Sequence, residues 1–381
     1  MGVVDNVKRI LHIVSALELG GAETLIMNVY RKMDKSKIQF DFVTHSKNKG
    51  DLEDEILSLG GRIYRIPSLG QLGAVNYVKK LTEVMKSSTY TAVHSHTDYQ
   101  NGFPALAAKI VGIEHRICHS HSTNWNKSFK VKDKMVLNAL KLLIKVSATK
   151  YCSCSVEAAE FLFGNKVIDK GNAVILKNGI NIDEFIDTQS DCREKIIEEL
   201  NLPSDTKLIG HIGRFSESKN HRFLLKLIKK LVEKDQRFKA ILVGDGPLKK
   251  EMIEEADSLQ ISNHCLFLGV RKDIPTLMKA FDVFLFPSLF EGFGIVTIEA
   301  QSTGTPCIIS DTVPKETDMG LGLAYYLNLH SDPEIWCQKV MEVVELDKPN
   351  INDIKDQITN RGFNIKDNIL DWLHLYGIEA V

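Results

Sequence analysis

Residues 283–302, VFLFPSLFEGFGIVTIEAQS, decide how the rest of the chain is interpreted. The apolar run at 283–286 is typical of a parallel strand that is covered on both faces. Gly292 and Gly294 follow, and they allow the backbone to approach a ligand closely. Residues 295–301 are predicted to form a helix, whose free N–H groups favour an anion, most often a phosphate. The stretch therefore predicts a strand, a ligand-binding turn and a helix.

Two carboxylates, Glu291 and Glu299, bracket this turn. A carboxylate only accepts hydrogen bonds and can take two hydroxyl donors, so both residues suit a ligand that carries a sugar. The alternative is a strand, a tight turn and a core helix that leave both glutamates on the surface. The rest of the chain must decide between these interpretations.

The composition is that of an ordinary globular protein. A length of 381 residues exceeds a single comfortable core and favours two domains. Hydrophobic residues at 44%, charged residues at 25% and a net charge of -1 give no overall attraction to nucleic acid. Residues 1–6 lead directly into a strand, and no apolar run approaches the ~20 residues of a membrane-spanning helix. We therefore expect a cytoplasmic protein.

Cysteine usage indicates reduced thiols in a core. The seven cysteines are odd in number, scattered and mostly embedded in apolar runs. Cys152 and Cys154 are spaced C-x-C, but no second ligand pair accompanies them, so no metal site is predicted there.

Strands alternate with helical patterns along the whole chain, which implies right-handed crossovers and parallel sheets. Residues 178–185, NGINIDEF, contain turn formers and are predicted to connect two such series. The fold class predicted is α/β, with two doubly wound Rossmann-like domains facing a cleft. The first domain is expected at 1–177 and the second at 178–363. A C-terminal helix within 364–381 is expected to pack back toward the first domain.

Polar and glycine-rich loops follow the predicted strands of the second domain. They contain Gly213-Arg214-Phe215 with Lys219, Gly244-Asp245-Gly246-Pro247, Gly269-Val270-Arg271 and Glu291-Gly292-Phe293-Gly294. Arg214 can bind a diphosphate through a bidentate fork and Lys219 as a point charge, although each alone could be a solvated surface cation. Phosphates, a ribose and a second sugar together describe a nucleotide-sugar.

The run PSLFEGFGIVTIEAQSTGTP at 287–306 resembles the Glu-x7-Glu signature of the family-4 retaining glycosyltransferases, which share the GT-B fold. GGAE at 20–23, GRFSESKN at 213–220, VGDGP at 243–247 and LGVRKDI at 268–274 occur in the family's order. The resemblance covers nearly the whole chain. It implies an N-terminal acceptor-binding domain and a C-terminal domain that binds the nucleotide-sugar.

The resemblance also implies a donor site. Arg214 and Lys219 would hold the diphosphate, and Glu299 the ribose. Glu291 would hold the donor sugar with the backbone of the next turn, and Gly21 would close on the diphosphate. The full donor set is Gly21, Arg214, Lys219, Gly244, Val270, Arg271, Glu291, Gly292, Phe293, Gly294, Ile295, Val296 and Glu299, with Val270 and Arg271 beside the base.

Two departures from the family pattern stand in this chain. Asn220 replaces the glycine that commonly follows the motif lysine, and the sequence VPKET at 313–317 replaces a Gly-Gly-x-x-Glu type loop. Because of the second departure, the contacts that the family's loop makes with the donor are not carried over to this chain.

Two H-x-H pairs, His94 with His96 and His119 with His121, end predicted strands of the first domain. The ordinary interpretation is a set of core or edge histidines. The spacing also suits metal ligands on one strand face, but no carboxylate pattern accompanies it. By resemblance, His121 is the histidine near the donor sugar and the acceptor hydroxyl, with His119 and His96 in support. The catalytic set is then His121, Glu291, Arg214 and Lys219.

Positioned cations and helix dipoles can stabilise a departing diphosphate without a metal. The chain contains no D-x-D triplet, which argues against the metal-dependent GT-A type. We expect no metal and no cofactor, only a nucleotide-sugar donor, with UDP as the expected nucleotide. The family's retention is commonly explained by same-face attack, in which a donor phosphate oxygen takes the acceptor proton.

Residues 125–150 carry seven lysines against one acid, Asp133. One helical face contains Val136, Leu137, Leu140, Leu143 and Ile144. This pattern fits an interfacial helix on an anionic membrane, or else a helix whose apolar stripe faces the core. With the resemblance, it favours a peripheral enzyme on the inner face of the plasma membrane. Such an enzyme extends a lipid-linked saccharide in capsule, exopolysaccharide or O-antigen synthesis.

Other functions remain as alternatives. A nucleotide-sugar epimerase of the same architecture would release a modified sugar without an acceptor. A non-catalytic subunit would bind the nucleotide-sugar without transferring its sugar. A nicotinamide oxidoreductase is disfavoured because no G-x-G-x-x-G follows the first strand.

Overall fold

The computed structural model describes residues 7–18, 20–122, 131–169, 172–177, 179–188, 191–291 and 293–379. The chain divides into two compact units. The first comprises residues 1–180 together with 365–381, and the second comprises residues 181–364.

The first unit is a parallel sheet with helices between its strands. Its strands are β1 (Lys8–Val14), β2 (Ile38–Thr44), β3 (Ile63–Arg65), β4 (Tyr90–Ser95), β5 (His115–Ser120), β6 (Lys150–Ser153) and β7 (Ala173–Ile175). Its helices up to β7 are α1 (Gly21–Lys32), α2 (Glu53–Ser58), α3 (Leu69–Lys86), α4 (Gly102–Val111), α5 (Val131–Ser147), α6 (Val156–Phe163) and α7 (Asn165–Asp169).

The strands of this sheet lie in the order β3-β2-β1-β4-β5-β6-β7, and every pair is parallel. Successive residues of β1 point to opposite faces. Ile10 packs in one apolar cluster with Phe40, whereas Leu11 packs in another with Val43. The sheet is therefore covered on both faces, which is why its strands consist of near-continuous apolar runs.

The second unit repeats this plan. Its strands are β8 (Lys207–Ile212), β9 (Phe238–Val243), β10 (Cys265–Gly269), β11 (Val283–Phe286), β12 (Cys307–Ser310) and β13 (Ala324–Leu327). Its helices are α8 (Ile182–Ile186), α9 (Cys192–Glu199), α10 (His221–Lys234), α11 (Lys249–Ser258), α12 (Ile274–Ala280), α13 (Ile295–Ser302), α14 (Pro333–Val343) and α15 (Ile351–Asn360).

These strands are also all parallel, in the order β10-β9-β8-β11-β12-β13. The order reverses at β8 and β11, where crossovers leave in opposite directions. Ligands of doubly wound sheets bind beyond the carboxyl ends of the strands at such a point. The turns after β8 and β11 are therefore where a ligand of this unit is expected to bind.

The last helix, α16 (Ile365–Leu375), belongs to the first unit. The main-chain N–H of Ile365 donates to the carbonyl of Ile180 over 2.9 Å. Trp372 and Tyr376 are fully buried in the cluster that contains Ile10 and Phe40. The C-terminal segment thus completes the core of the first unit.

The prediction that 178–185 is only a connection was wrong in part, because α8 begins at Ile182. Its three buried side chains, Ile182, Phe185 and Ile186, hold this short helix against the second unit. All seven cysteines are free and buried, as predicted. Within the described residues, no helix combines the length and the apolar character needed to cross a membrane.

Candidate active site

The turn after β11 is shaped by a glycine with a left-handed backbone. Gly294 has a φ of +90° and precedes the first residue of α13. A Cβ on this residue would lie 3.0 Å from Cγ1 of Val313, so both conformation and space favour glycine. The Thr297 hydroxyl donates to the Gly294 carbonyl over 2.8 Å and fixes the start of the helix. Gly292, the other predicted glycine, lies outside the described residues.

An ion pair joins this turn to the turn after β8. The Lys219 ammonium donates to a carboxylate oxygen of Glu291, and their side chains are 18% and 13% exposed. The same Nζ lies 4.7 Å from the ring centroid of Phe286. Two further hydrogen bonds connect the turns, from Leu289 N to Ser218 O and from an Asn220 amide to Pro287 O. The interpretation of Glu291 as a surface residue was therefore wrong.

Glu299 is a partly buried carboxyl group on α13. Burial and, to a smaller extent, the neighbouring Glu184 raise its pKa from 4.5 to about 7. A carboxyl group with a strongly raised pKa is more frequent at functional sites than elsewhere, because burial without a cation destabilises the fold. Ligand hydroxyls that donate to Glu299 would favour its ionised form and lower this pKa.

The loops after β8 and β9 pack backbone against backbone. Gly244 has a φ of +135°, and a Cβ there would overlap the carbonyl of Gly213. The N–H of Phe215 donates to the carbonyl of Asp245 over 2.9 Å. This packing fixes the backbone of Gly213 and Phe215 on either side of Arg214, whose side chain is exposed. Gly244 therefore shapes the loop, and Arg214 faces solvent at its end.

The first departure from the family pattern is explained by backbone geometry. Asn220 adopts the left-handed conformation, with φ +55° and ψ +45°. Asparagine is one of the few residues besides glycine that visits this region readily. The substitution therefore keeps the turn that follows Lys219.

The loop at 313–317 is packed in place by its own side chains. Val313 is buried against Gly294, and the Lys315 ammonium lies 3.4 Å from the ring centroid of Tyr326. Thr317 and Tyr326 share a hydrogen bond of 2.8 Å. Through Val313, this loop packs against Gly294 in the turn after β11.

Arg271 is held within its own unit. Its guanidinium pairs with Glu199 over 2.5 Å and with Asp273 over 2.6 Å, and these carboxylates raise its pKa. Val270, next to it, is exposed. Of the two residues predicted beside the base, Val270 has its side chain open to a ligand, whereas Arg271 is engaged by two acids.

Of the remaining predicted positions, Phe293 is buried, with its ring 5.5 Å from that of Phe363. Ile295 and Val296 are half-buried at the start of α13. Their N–H groups belong to the first turn of the helix, which has no helical acceptors. The turn thus presents backbone donors beside Glu291.

In the first unit, Gly21 is exposed at the start of α1, and a Cβ added to it would meet nothing within 4 Å. Gly20 is different, because its Cβ would overlap the Glu23 carboxylate. A shift of the flexible Glu23 side chain would make room at position 20, and packing within the unit does not explain a glycine at position 21.

Five histidines meet on one face of the first sheet, with Cys152 beside them. In register, His12 pairs with His94, and His119 pairs with Cys152. The ring nitrogens lie 3.1 Å apart in His12–His96, 3.0 Å in His96–His121 and 3.1 Å in His94–His119. Tyr376 Oη lies 3.0 Å from Nδ1 of His94. His12 and Tyr376 were not predicted as site residues, although His12 stands in the first predicted strand, and Cys152 was predicted only as a core thiol without a metal.

Asp98 fixes the main chain at the outer end of this cluster. Its carboxylate accepts the His121 N–H over 2.7 Å and the Ser122 hydroxyl over 3.0 Å. Its φ of +49° is unusual for a residue other than glycine. Such strain at a strand end is often found beside functional residues.

The same side chains could also bind a metal ion. Three overlapping groups each place their ligand atoms within 4.8 Å of one another: His12, His94 and His96; His94, His119 and Cys152; and His96, His119 and His121. The absence of a metal site remains a prediction.

The solved structure of Anabaena HepE, in complex with UDP and glucose, shares this fold. Its TM-score is 0.77 at 19% identity, over 97% of this chain and 99% of HepE. With its two doubly wound units, the protein therefore has the GT-B fold.

Residues 19–184 match the family described as Glycosyltransferase Family 4, and residues 192–319 match Glycosyl transferases group 1. The putative glycosyltransferase EpsF of Bacillus subtilis (strain 168) is 42% identical over 98% of this chain and 97% of its own length. An Escherichia coli enzyme, the UDP-Gal:alpha-D-GlcNAc-diphosphoundecaprenol alpha-1,3-galactosyltransferase, is 26% identical over 80% of this chain and 79% of its own length. The chain belongs to this family of glycosyltransferases.

Proposed function

We propose that the protein is a retaining glycosyltransferase that moves a sugar from a UDP-linked donor to a saccharide or lipid-linked saccharide acceptor in surface polysaccharide synthesis. The observation that carries the proposal is the turn after β11, where Glu291, paired with Lys219 from the turn after β8, and Glu299 on α13 accompany the free N–H groups at the start of that helix. The named donor and acceptor of the Escherichia coli relative, UDP-Gal and a diphosphoundecaprenol-linked sugar, support it.

The residues of the turns after β8 and β11 and of α13 have separate proposed roles. Arg214 and Lys219 bind the diphosphate, and Glu299 binds the two ribose hydroxyls. Glu291 and the backbone at 293–296 bind the donor sugar. In the free protein Lys219 is paired with Glu291, so a bound diphosphate would share the ammonium with that carboxylate.

The departing diphosphate is stabilised by these cations and by the start of α13, without a divalent metal. Preorganised donors and charges stabilise developing negative charge because they need no rearrangement during the reaction. The proposal therefore includes metal independence, and His121 contacts the donor sugar or the acceptor.

A membrane surface is the proposed location of the acceptor. In α5, Ile144 is buried in the core, but Met135 and Leu142 are 68% and 60% exposed. Lys134 and Lys145 are exposed beside them. Exposed apolar residues among lysines suit the interface of an anionic membrane. Residues 125–130 of the predicted segment lie outside the described residues.

A donor panel tests the proposal. UDP-glucose, UDP-galactose, UDP-N-acetylglucosamine and GDP-mannose are each added in thermal denaturation, since a ligand of the native state raises the melting temperature. At least one UDP-sugar is expected to stabilise the protein and to be consumed only with a lipid-linked saccharide acceptor, in the presence of EDTA. Release of an isomerised nucleotide-sugar without acceptor, or no response to any donor, would contradict it.

A further inference from the structure

Three of the five histidines, His12, His96 and His121, form a first row that runs from the core to the end of β5. Nδ1 of His12 faces Nε2 of His96 over 3.1 Å, and Nδ1 of His96 faces Nε2 of His121 over 3.0 Å. A neutral imidazole has one N–H and one lone pair. The three tautomers are therefore coupled: either every ring carries its proton on Nδ1, or every ring carries it on Nε2.

The surroundings keep these rings neutral, and even at His121, beside the Asp98 carboxylate, burial outweighs that charge and lowers the pKa of the ring. His12 is fully buried, and its ring lies 4.4 Å from that of Phe40 and 5.4 Å from that of Phe42. His96 is also buried, and burial lowers the pKa of both rings. A charged imidazolium in such surroundings is costly without a carboxylate partner.

The inner end of the row distinguishes the two arrangements. Nε2 of His12 is buried and has no hydrogen-bond partner among the residues that the structure describes. With protons on Nε2, this atom would be a buried N–H without an acceptor. With protons on Nδ1, it would be a bare lone pair. Buried donors without acceptors are the rarer defect in proteins, so the Nδ1–H arrangement is favoured.

The second row gives the same result independently. His94 Nε2 lies 3.1 Å from His119 Nδ1 and 3.4 Å from the Cys152 thiol sulfur, so two potential donors converge on one atom. If that atom accepts, His94 carries its proton on Nδ1, facing Tyr376 Oη, and His119 carries its proton on Nδ1. Nε2 of His119, which also has no partner in the described part of the chain, is then a lone pair and not a donor.

We propose that all five histidines are neutral Nδ1–H tautomers, so that His121 presents an N–H donor to its ligand. The ligand atom would then be an oxygen of the nucleotide-sugar, in its phosphate or its sugar, that accepts a hydrogen bond from His121. His121 would not remove a proton. This inference rests on the proposed function for the identity of the ligand. The tautomers themselves do not depend on it.

Long-range 1H–15N correlation of the full-length protein labelled with 15N-histidine reads the tautomers directly. His121→Asn assigns the His121 signals. We expect protonated Nδ1 and bare Nε2 for His121 in the free enzyme. A shift of the His121 Nδ1 signal on addition of UDP would indicate a hydrogen bond to a phosphate oxygen. A shift that occurs only with a UDP-sugar would indicate a hydrogen bond to a sugar oxygen. Protonated Nε2 in His121, or a stoichiometric metal ion in the purified protein by mass spectrometry, would overturn the proposal.

A matched pair of variants separates a donor from a base. The amide of His121→Asn can donate a hydrogen bond, whereas the isosteric carboxylate of His121→Asp can only accept. A donor role predicts at least about tenfold more turnover for the asparagine variant, equivalent to one hydrogen bond. Equal turnover, or more turnover with aspartate, would contradict the donor role. If no UDP-sugar is turned over by the unsubstituted enzyme, the proposed function fails while the tautomer measurement still stands.

Discussion

Lys219 donates a hydrogen bond to Glu291 across two turns that are 72 residues apart in sequence. Both side chains are mostly buried, so each neutralises a charge that would otherwise lie in a poorly solvated place. The pair therefore has a structural part and, in the proposed function, a ligand-binding part. These parts can be separated by measuring stability and activity on the same variants.

Removing both partners should destabilise the fold by less than the sum of the two single removals. We expect Lys219→Met and Glu291→Gln each to lower the free energy of unfolding by ~1–3 kcal/mol, because the remaining group loses its partner. The double variant should lose less than the sum of the two. Urea denaturation measures this coupling. Additive losses would show that the ion pair does not contribute, and all three variants should lose transfer activity.

Glu299→Gln should increase stability at alkaline pH while abolishing function. The native pKa of about 7 lies above the ordinary 4.5, so the native state holds the proton longer than the unfolded state. The native state therefore loses stability as pH rises between these values, and remains lower above them. Since Glu299 is partly solvated, we expect a gain of ~1–2 kcal/mol at pH 8 and none at pH 4.5.

Melting temperatures across pH measure this difference. Glu233→Gln, at an exposed position on α10, is the control and should show no pH-dependent gain. A Glu299→Gln variant that is less stable at pH 8 would contradict the burial effect. One that keeps full affinity for UDP would contradict the ribose role.

Gly21→Ala should reduce activity without reducing stability. The added Cβ meets no atom of the protein within 4 Å, and alanine is a better helix former than glycine. We expect an unchanged or slightly higher melting temperature and at least about tenfold lower kcat/KM, as for loss of ~1.4 kcal/mol of transition-state binding. Gly70→Ala, also exposed and open at the start of a helix, is the matched control. Equal kinetics of the two variants would remove Gly21 from the donor site.

The outer face of α5 should bind anionic vesicles. We expect Leu142→Asp to reduce co-sedimentation with phosphatidylglycerol vesicles several-fold, because the charge opposes insertion at the interface. Val75→Asp, on the 81% exposed Val75 of α3, should leave binding unchanged. Neutral vesicles should bind neither protein well. Equal binding by both variants, or none by the unsubstituted protein, would refute a membrane role for α5.

The strong local signals of the sequence predicted most of the fold. The predicted bounds of β11 are confirmed, and α13 ends one residue later, at Ser302, because a continuous apolar run and a glycine turn bound these elements. The short strands β7 and β13 were not predicted. Their residues are only half-buried, and pairing with β6 and β12 creates them. Their stability comes from neighbours and leaves little pattern in the sequence.

The site was predicted to a similar extent. Loops at strand ends could be placed because parallel strands end at a common edge, but contacts between distant side chains could not. His94 and Tyr376 are 282 residues apart, and no local pattern connects them. The ion pairs of Arg271 likewise depend on Glu199, 72 residues away.

The hydrogen bond between Ile365 and Ile180 closes the first unit around a chain excursion of 184 residues, 181–364. The second unit is therefore one uninterrupted stretch, whereas the first needs the final helix to bury Trp372 and Tyr376. During synthesis, the second unit can fold as soon as its own residues leave the ribosome. The first unit, although its strands are translated earlier, can be completed only after α16 has also left the ribosome. The unit that begins first in the chain is thus the one completed last.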